Sequence, residues 1–123
     1  MQGNSHSMKS GELVKIVVDT LNKHKGLQIN DLDVTTLTDL VDHVIICSAI
    51  SKRHASALAD KAIRRAKESG VRPLGVEGDT KAEWILIDLY DVIVHIMLPE
   101  VRNFYSLEKL WDVAESARRH NKD

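Results

Sequence analysis

The sequence predicts a single α/β domain, a mixed β-sheet with helices packed mainly on one face. Three observations carry that prediction. The chain is 123 residues long, which suits one domain with one core. Apolar residues recur at helical spacing in two long segments, from Leu13 to Leu21 and from Ala55 to Ala66. Short β-branched runs lie between and after them, at Val41 to Ser48, Trp84 to Leu89 and Val92 to Leu98. The order reads helix, strand, strand, helix, strand, strand, strand, helix, with no repeat, linker or low-complexity run.

The elements follow in turn. Residues 1–7, MQGNSHS, read as a vector remnant or frayed tail, and the domain is placed at 8–117. Ser10 is the expected N-cap of the first helix, with Glu12 in its first turn. Leu13, Ile16, Val17 and Leu21 share one face, and Gly26 is the expected stop. Leu27 to Val34 is a strand with Ile29, Leu32 and Val34 as its apolar positions. The run Val44-Ile45-Ile46-Cys47 points to a strand buried on both faces.

Ser51 caps the strongest helix. Ala55, Leu58, Ala59, Ala62, Ile63 and Ala66 form one stripe, small enough to lie close on a sheet. Its other faces carry Lys52, Arg53, Lys61, Arg64, Arg65 and Lys67, and Gly70 is the expected C′ residue. Val71 to Val76 is a strand in which Pro73 argues for an edge position or an irregular start. Glu100 to Tyr105 is a connector with room for a helical turn. Ser106 caps a last helix with Leu107, Leu110, Trp111 and Ala114 inward, and 118–123 is a frayed polar tail.

Composition narrows the function. Net charge is −1, so no bulk attraction draws the chain to nucleic acid, and partners must be found by shape and local patches. Cys47 is the single cysteine, which rules out an intrachain disulfide and a thiolate metal site. It reads as a small buried hydrophobe. No segment has the ~20 apolar residues of a membrane span, and no signal or transit sequence is recognisable. A reducing cytoplasm is the expected setting.

The hairpin from Trp84 to Leu98 carries the strongest functional signal. An even-length turn centred on Leu89–Tyr90 pairs Leu86 with Ile93 and Trp84 with His95. Strand alternation then sorts the side chains. Ile85, Ile87, Val92, Val94, Ile96 and Leu98 form an aliphatic core face. Trp84, Leu86, Asp88, Asp91, Ile93, His95 and Met97 share the other, an apolar centre with a polar margin, as interfaces are built.

Catalytic readings fit less well. His95 lies about four strand residues from Asp91, over ~10 Å, too far to share a metal. Asp88 and Asp91 could share an ion but read as turn residues. Asp31 and Asp33, at i and i+2 of a strand, have the pattern of a nucleotidyltransferase metal strand. The strand-to-helix turn Cys47-Ser48-Ala49-Ile50-Ser51 lacks the glycine a phosphate loop needs. The remaining histidines are scattered, with His54 on a helix surface. No cofactor is expected. An acidic hairpin (Glu77, Asp79, Glu83, Asp88, Asp91, Glu100) and a basic helix remain, suited to a cationic partner and to phosphate respectively.

The stretch WILIDLYDVIVHIMLPEVRNFYSLEKLW, with Val41-Asp42-His43-Val44-Ile45-Ile46, Ser48-x-x-Ser51 and Glu77-Gly78 upstream, closely resembles the ribosomal silencing factor family, also called Iojap-like. The resemblance covers about Leu13 to Trp111. It implies a nucleotidyltransferase-like α/β fold without catalytic activity. It implies binding to ribosomal protein fourteen of the large subunit, at the intersubunit face. The bound factor would then block small-subunit joining and silence translation when nutrients are short. Family members often form homodimers. By position the contact residues are Trp84, Asp88, Asp91 and His95, extended by Pro99, Glu100, Arg102 and Tyr105. Minor ribosomal RNA contacts would fall to the basic helix. Tyr90 departs from the family, where glycine commonly precedes the second aspartate, and a more open turn is expected here. The competing readings are a metal-dependent nucleotidyltransferase using Asp31 and Asp33, and a dimerisation module that buries Trp84 against its twin.

Overall fold

The structure, a computed structural model, describes residues 8–78 and 81–105. The elements are α1 (Ser10–Lys23), β1 (Leu27–Asp33), β2 (His43–Ser48), α2 (Lys52–Glu68), β3 (Gly75–Glu77), β4 (Trp84–Asp88), β5 (Val92–Met97) and α3 (Pro99–Tyr105). The strands form one mixed sheet in the order β1-β2-β5-β4-β3. Only β2 and β5 pair in parallel; the other neighbours are antiparallel. The expected last helix from Ser106 to Ala114 lies outside the described residues.

One face of the sheet carries the main core. Leu13, Val17 and Leu21 of α1 and Ala55, Leu58, Ala62 and Ala66 of α2 pack on Ile45, Ile85, Ile87, Val92, Val94 and Ile96. The alanine stripe therefore does what its size allows, bringing α2 close to the strands. A smaller cluster, Leu32, Val34, Val44, Ile46 and Met97, lies on the other face with Val101 of α3 against it. The sandwiched position of β2, buried on both faces, is the expected one.

The helix ends are set by local chemistry. Lys9, not Ser10, is the N-cap of α1, and its N–H donates to Glu12 Oε1 at 3.4 Å. At the other end the left-handed residue is Lys25 (φ 70°), not Gly26. Gly26 N–H reaches Leu21 O at 2.7 Å and Lys25 N–H reaches Asn22 O, a Schellman closure. Gly26 is required for space instead: a Cβ there would lie 2.6 Å from Cys47 Sγ. Ser51 caps α2 by accepting the His54 N–H, and Gly70 (φ 92°) ends it, both as expected.

Two segments differ in extent from expectation. The strand read at Val71 to Val76 shrinks to Gly75–Glu77, although its edge position holds. Pro73 cannot donate to a ladder, and pairing starts only beyond it. The helical turn expected in the connector extends over Pro99–Tyr105, and Val101 packs on the second face.

The hairpin has the expected even turn and the expected faces, but a register displaced by two. Trp84 pairs with Met97, Leu86 with His95 and Asp88 with Ile93. The turn is Tyr90–Asp91, closed by Leu89 N–H to Val92 O at 2.9 Å. Burial decides the difference. Leu89 and Val92 are both fully inside, so the ladder extends to include them. The expected register would also have set Asp88 opposite Asp91, and like charges across a ladder repel. The turn is not opened by Tyr90, which adopts φ 73° itself.

Candidate functional site

Among the described residues, the sheet face opposite α1 and α2 is only partly covered. Along β4 and β5 its outward residues are Trp84, Leu86, Asp88, Ile93 and His95, all half-buried. Met97, expected among them, is wholly buried in the second cluster, on the face that Val101 of α3 helps to cover. Glu77 of β3 pairs with Leu86 and so shares this face. Glu83, Asp91 and Glu100 are exposed nearby in the chain, and Asp79 lies outside the described residues. The result is an apolar strip with a carboxylate-rich margin.

Trp84 and His95 form its centre. The displaced register makes them diagonal neighbours, within reach of each other across a ladder. Their rings lie 5.7 Å apart at 52°. Trp84 Nε1–H donates to His95 Nδ1 at 2.9 Å. Indole nitrogen can only donate, so Nδ1 must be the bare acceptor and the imidazole is neutral with its proton on Nε2. Burial acts in the same direction, lowering the His95 pKa from 6.5. The pair is therefore a fixed, uncharged plate with the indole locked in place.

The other expected contact residues separate into three kinds. Asp88 Oδ1 accepts the Tyr90 N–H at 2.9 Å, so this carboxylate braces the turn. Asp91 is exposed, and its carbonyl accepts the Asp42 and His43 N–H groups at 2.8 and 3.1 Å. Pro99 and Glu100 are exposed at the start of α3. Arg102 departs from the expected surface position. It is 5% exposed and donates to Ser48 Oγ at 2.8 Å. It anchors α3 to the end of β2 and presents no free fork to a partner. The side chain of Tyr105 lies outside what is described.

The residues of the nucleotidyltransferase reading are engaged otherwise. Asp31 Oδ1 lies 2.8 Å from His43 Nδ1. Asp33 Oδ1 accepts both the N–H and the hydroxyl of Thr35. Three donors of the turn into α2 are engaged within the protein. Ala49 N–H goes to Met97 O, Ile50 N–H to His54 Nδ1, and His54 N–H to Ser51 Oγ. A phosphate cradle needs such groups pointing outward. His54, expected as a plain surface residue, instead ties the two helices together through Nε2 and His24 O at 3.0 Å. Among the described residues no three His, Cys, Asp or Glu side chains are grouped to hold a metal. Burial pushes the Cys47 thiol up to about 11, consistent with a packing role.

Sequence reasoning recovered the face but missed three side-chain contacts: the Ser48–Arg102 bond, the His24–His54 tie and the Asp31–His43 pair. Each joins residues distant in the chain, and no spacing rule reports such pairs. Among the described residues no helix is long and apolar enough to cross a membrane.

Comparison with known proteins adds an independent line. Residues 7–123 match the family described as "Ribosomal silencing factor during starvation". A ribosomal silencing factor of Haemophilus influenzae is 42% identical over 99 residues, covering 80% of this chain and 97% of that one. A crystal structure of a Chromobacterium violaceum protein superposes with a TM-score of 0.81 at 40% identity, covering 85% of this chain and 88% of that one. More distantly, the mouse protein named "Mitochondrial assembly of ribosomal large subunit protein 1" is 29% identical over 101 residues, 80% of this chain and 44% of that protein.

Proposed function

The chain belongs to the ribosomal silencing factor family, and on that premise we propose that it is a non-enzymatic antiassociation factor. It docks on the large ribosomal subunit through ribosomal protein fourteen and excludes the small subunit by its bulk. Translation is then repressed when nutrients are short. The carrying observation is the Trp84–His95 plate between Leu86 and Ile93, ringed by Glu77, Asp88 and Asp91. Aromatic anchors inside a polar rim are where binding energy concentrates. The acidic ring suits a cationic partner, and ribosomal proteins commonly are cationic because they neutralise phosphate. Pro99 and Glu100 extend the surface. The engaged donors at the α2 turn support a role without nucleotide chemistry, and the cytoplasm is the setting this function needs.

Trp84→Ala tests the reading. The variant is expected to lose at least ~2 kcal/mol of affinity for isolated large subunits, a fall of thirty-fold or so, while its circular dichroism stays native. Undiminished binding, with normal inhibition of subunit joining, would refute docking through this face. Self-association through the same face remains compatible with docking if the dimer separates first. Sedimentation of the Trp84→Ala variant across a concentration series reads that separately.

A further inference from the structure

The other side of the molecule carries a concentration of positive charge that docking through the Trp84 face does not use. Helix α2 holds six Lys and Arg against Asp60 and Glu68, a net charge of +4 within a chain of net −1. Because its alanine stripe is spent on the sheet, these cations face outward. They do not stand on a plain convex surface. A groove of about 330 Å³ runs between α1 and α2, lined among others by Lys23, Lys61, Arg64 and Arg65 against Asp19 and Glu68. A second hollow beside it shares Arg64 and Glu68 and adds Lys67 against Asp60. The two acidic groups of the first groove already have partners: Asp19 pairs with Lys15 at 3.3 Å, and Glu68 lies 3.9 Å from Arg65. The side chains of Lys23, Lys61 and Arg64 make no ion pair or hydrogen bond to any described residue.

We propose that this groove holds the phosphate backbone of an RNA segment. Lys61, Arg64 and Arg65 sit at i, i+3 and i+4, where like charges repel one another along a helix. A polyanion laid across them removes that repulsion, and the guanidinium fork of Arg64 matches a phosphate. The groove is set in advance, because the His54–His24 contact at 3.0 Å fixes the end of α1 against the start of α2. Among the described residues no Phe, Tyr or Trp lines it, so the recognition proposed runs through phosphate without sequence preference. The site lies across the sheet from Trp84, so both faces can be occupied at once. The choice of RNA over another polyphosphate rests on the docking reading; the anion site itself does not.

The test is fluorescence anisotropy of the intact chain with a labelled single-stranded oligouridylate of about 20 nucleotides, titrated between about 50 and 200 mM salt. Wild type is expected to bind at micromolar to sub-millimolar concentration, with affinity falling as salt rises. The triple variant Lys23→Ala/Lys61→Ala/Arg64→Ala is expected to lower the slope of log affinity against log salt by about 2, from ~0.7 per contact removed. All three positions reach solvent, and circular dichroism verifies the fold. Lys81→Ala, an exposed cation outside both hollows, should leave the slope unchanged. Absence of wild-type binding at the lowest salt, or an unchanged slope in the triple variant, overturns the proposal. So does low-salt self-association that RNA fails to displace, which would give the groove to the acidic margin of a second copy. Trp84→Ala separates the two readings. It should keep RNA binding while losing large subunits; if it keeps both, the docking face is wrong and the groove stands.

Discussion

Trp84 and His95 show how much a single hydrogen bond decides at the residue scale. With Nδ1 committed to accepting the indole N–H, His95 cannot protonate there without breaking the plate. Burial lowers its folded pKa from 6.5. Below that value the unfolded chain binds more protons than the folded one. Stability contributed by this site is therefore complete above about pH 6.5 and declines as pH falls toward the lowered folded value. Urea midpoints measured from pH 7.5 downward should drop less steeply for His95→Gln than for wild type. An identical slope would remove His95 as the source. Cys47 makes a second residue-scale prediction. With its thiol raised to about 11 and fully buried, it should resist iodoacetamide in the native protein at neutral pH and react only on unfolding.

At the scale of elements, two tight spots carry the connections. Gly26 leaves room where α1 turns into β1 beside Cys47. Gly26→Ala should destabilise by about 1–3 kcal/mol through overpacking. Cys47→Ala removes the nearer obstacle, so the double variant should lose less than the sum of the single losses, read by denaturant titration. Simple additivity would place the strain elsewhere. The hairpin turn is the second spot. At φ 73° Tyr90 holds a conformation that a Cβ disfavours, while its ring packs on the main core. Tyr90→Gly and Tyr90→Ala both lose the ring, so their difference isolates the backbone. Glycine should be the more stable by about 1 kcal/mol.

These elements also show which signals were readable. The alanine stripe, the Ser51 cap, Gly70 and the doubly buried β2 are local patterns, and each is where its pattern placed it. Alternation along the hairpin sorted core from open face correctly, because parity survives a shift of two. Register did not survive. It was decided by the burial of Leu89 and Val92, a property of the helices packed above them. Glycine at the end of α1 was read as a turn former, whereas its reason is a sulfur atom twenty-one positions away in the chain. Arg102 resembled a surface cation until the fold brought Ser48 to it.

For the whole molecule, the layered build separates two surfaces. The helices close one face of the sheet and carry the cationic groove; the other face keeps the Trp84 plate and its acidic margin. A factor that works by occupying space should act stoichiometrically. In a subunit-joining assay, inhibition should saturate near one copy per large subunit and reverse on dilution. Inhibition by far smaller amounts would indicate a catalytic modification instead.

The sequence by itself determined the fold class, the two helical stripes, the strand alternation and the family. These follow from periodicity and from a long run of residues matched together. Tertiary structure alone decided the hairpin register, the inward position of Arg102, the helix tie through His54 and the meeting of Lys23 with Lys61 in one groove. The physical reason is range. Hydrogen-bonded caps and amphipathic faces are set by residues a few positions apart, whereas burial, steric room and pairing depend on atoms that only folding brings together.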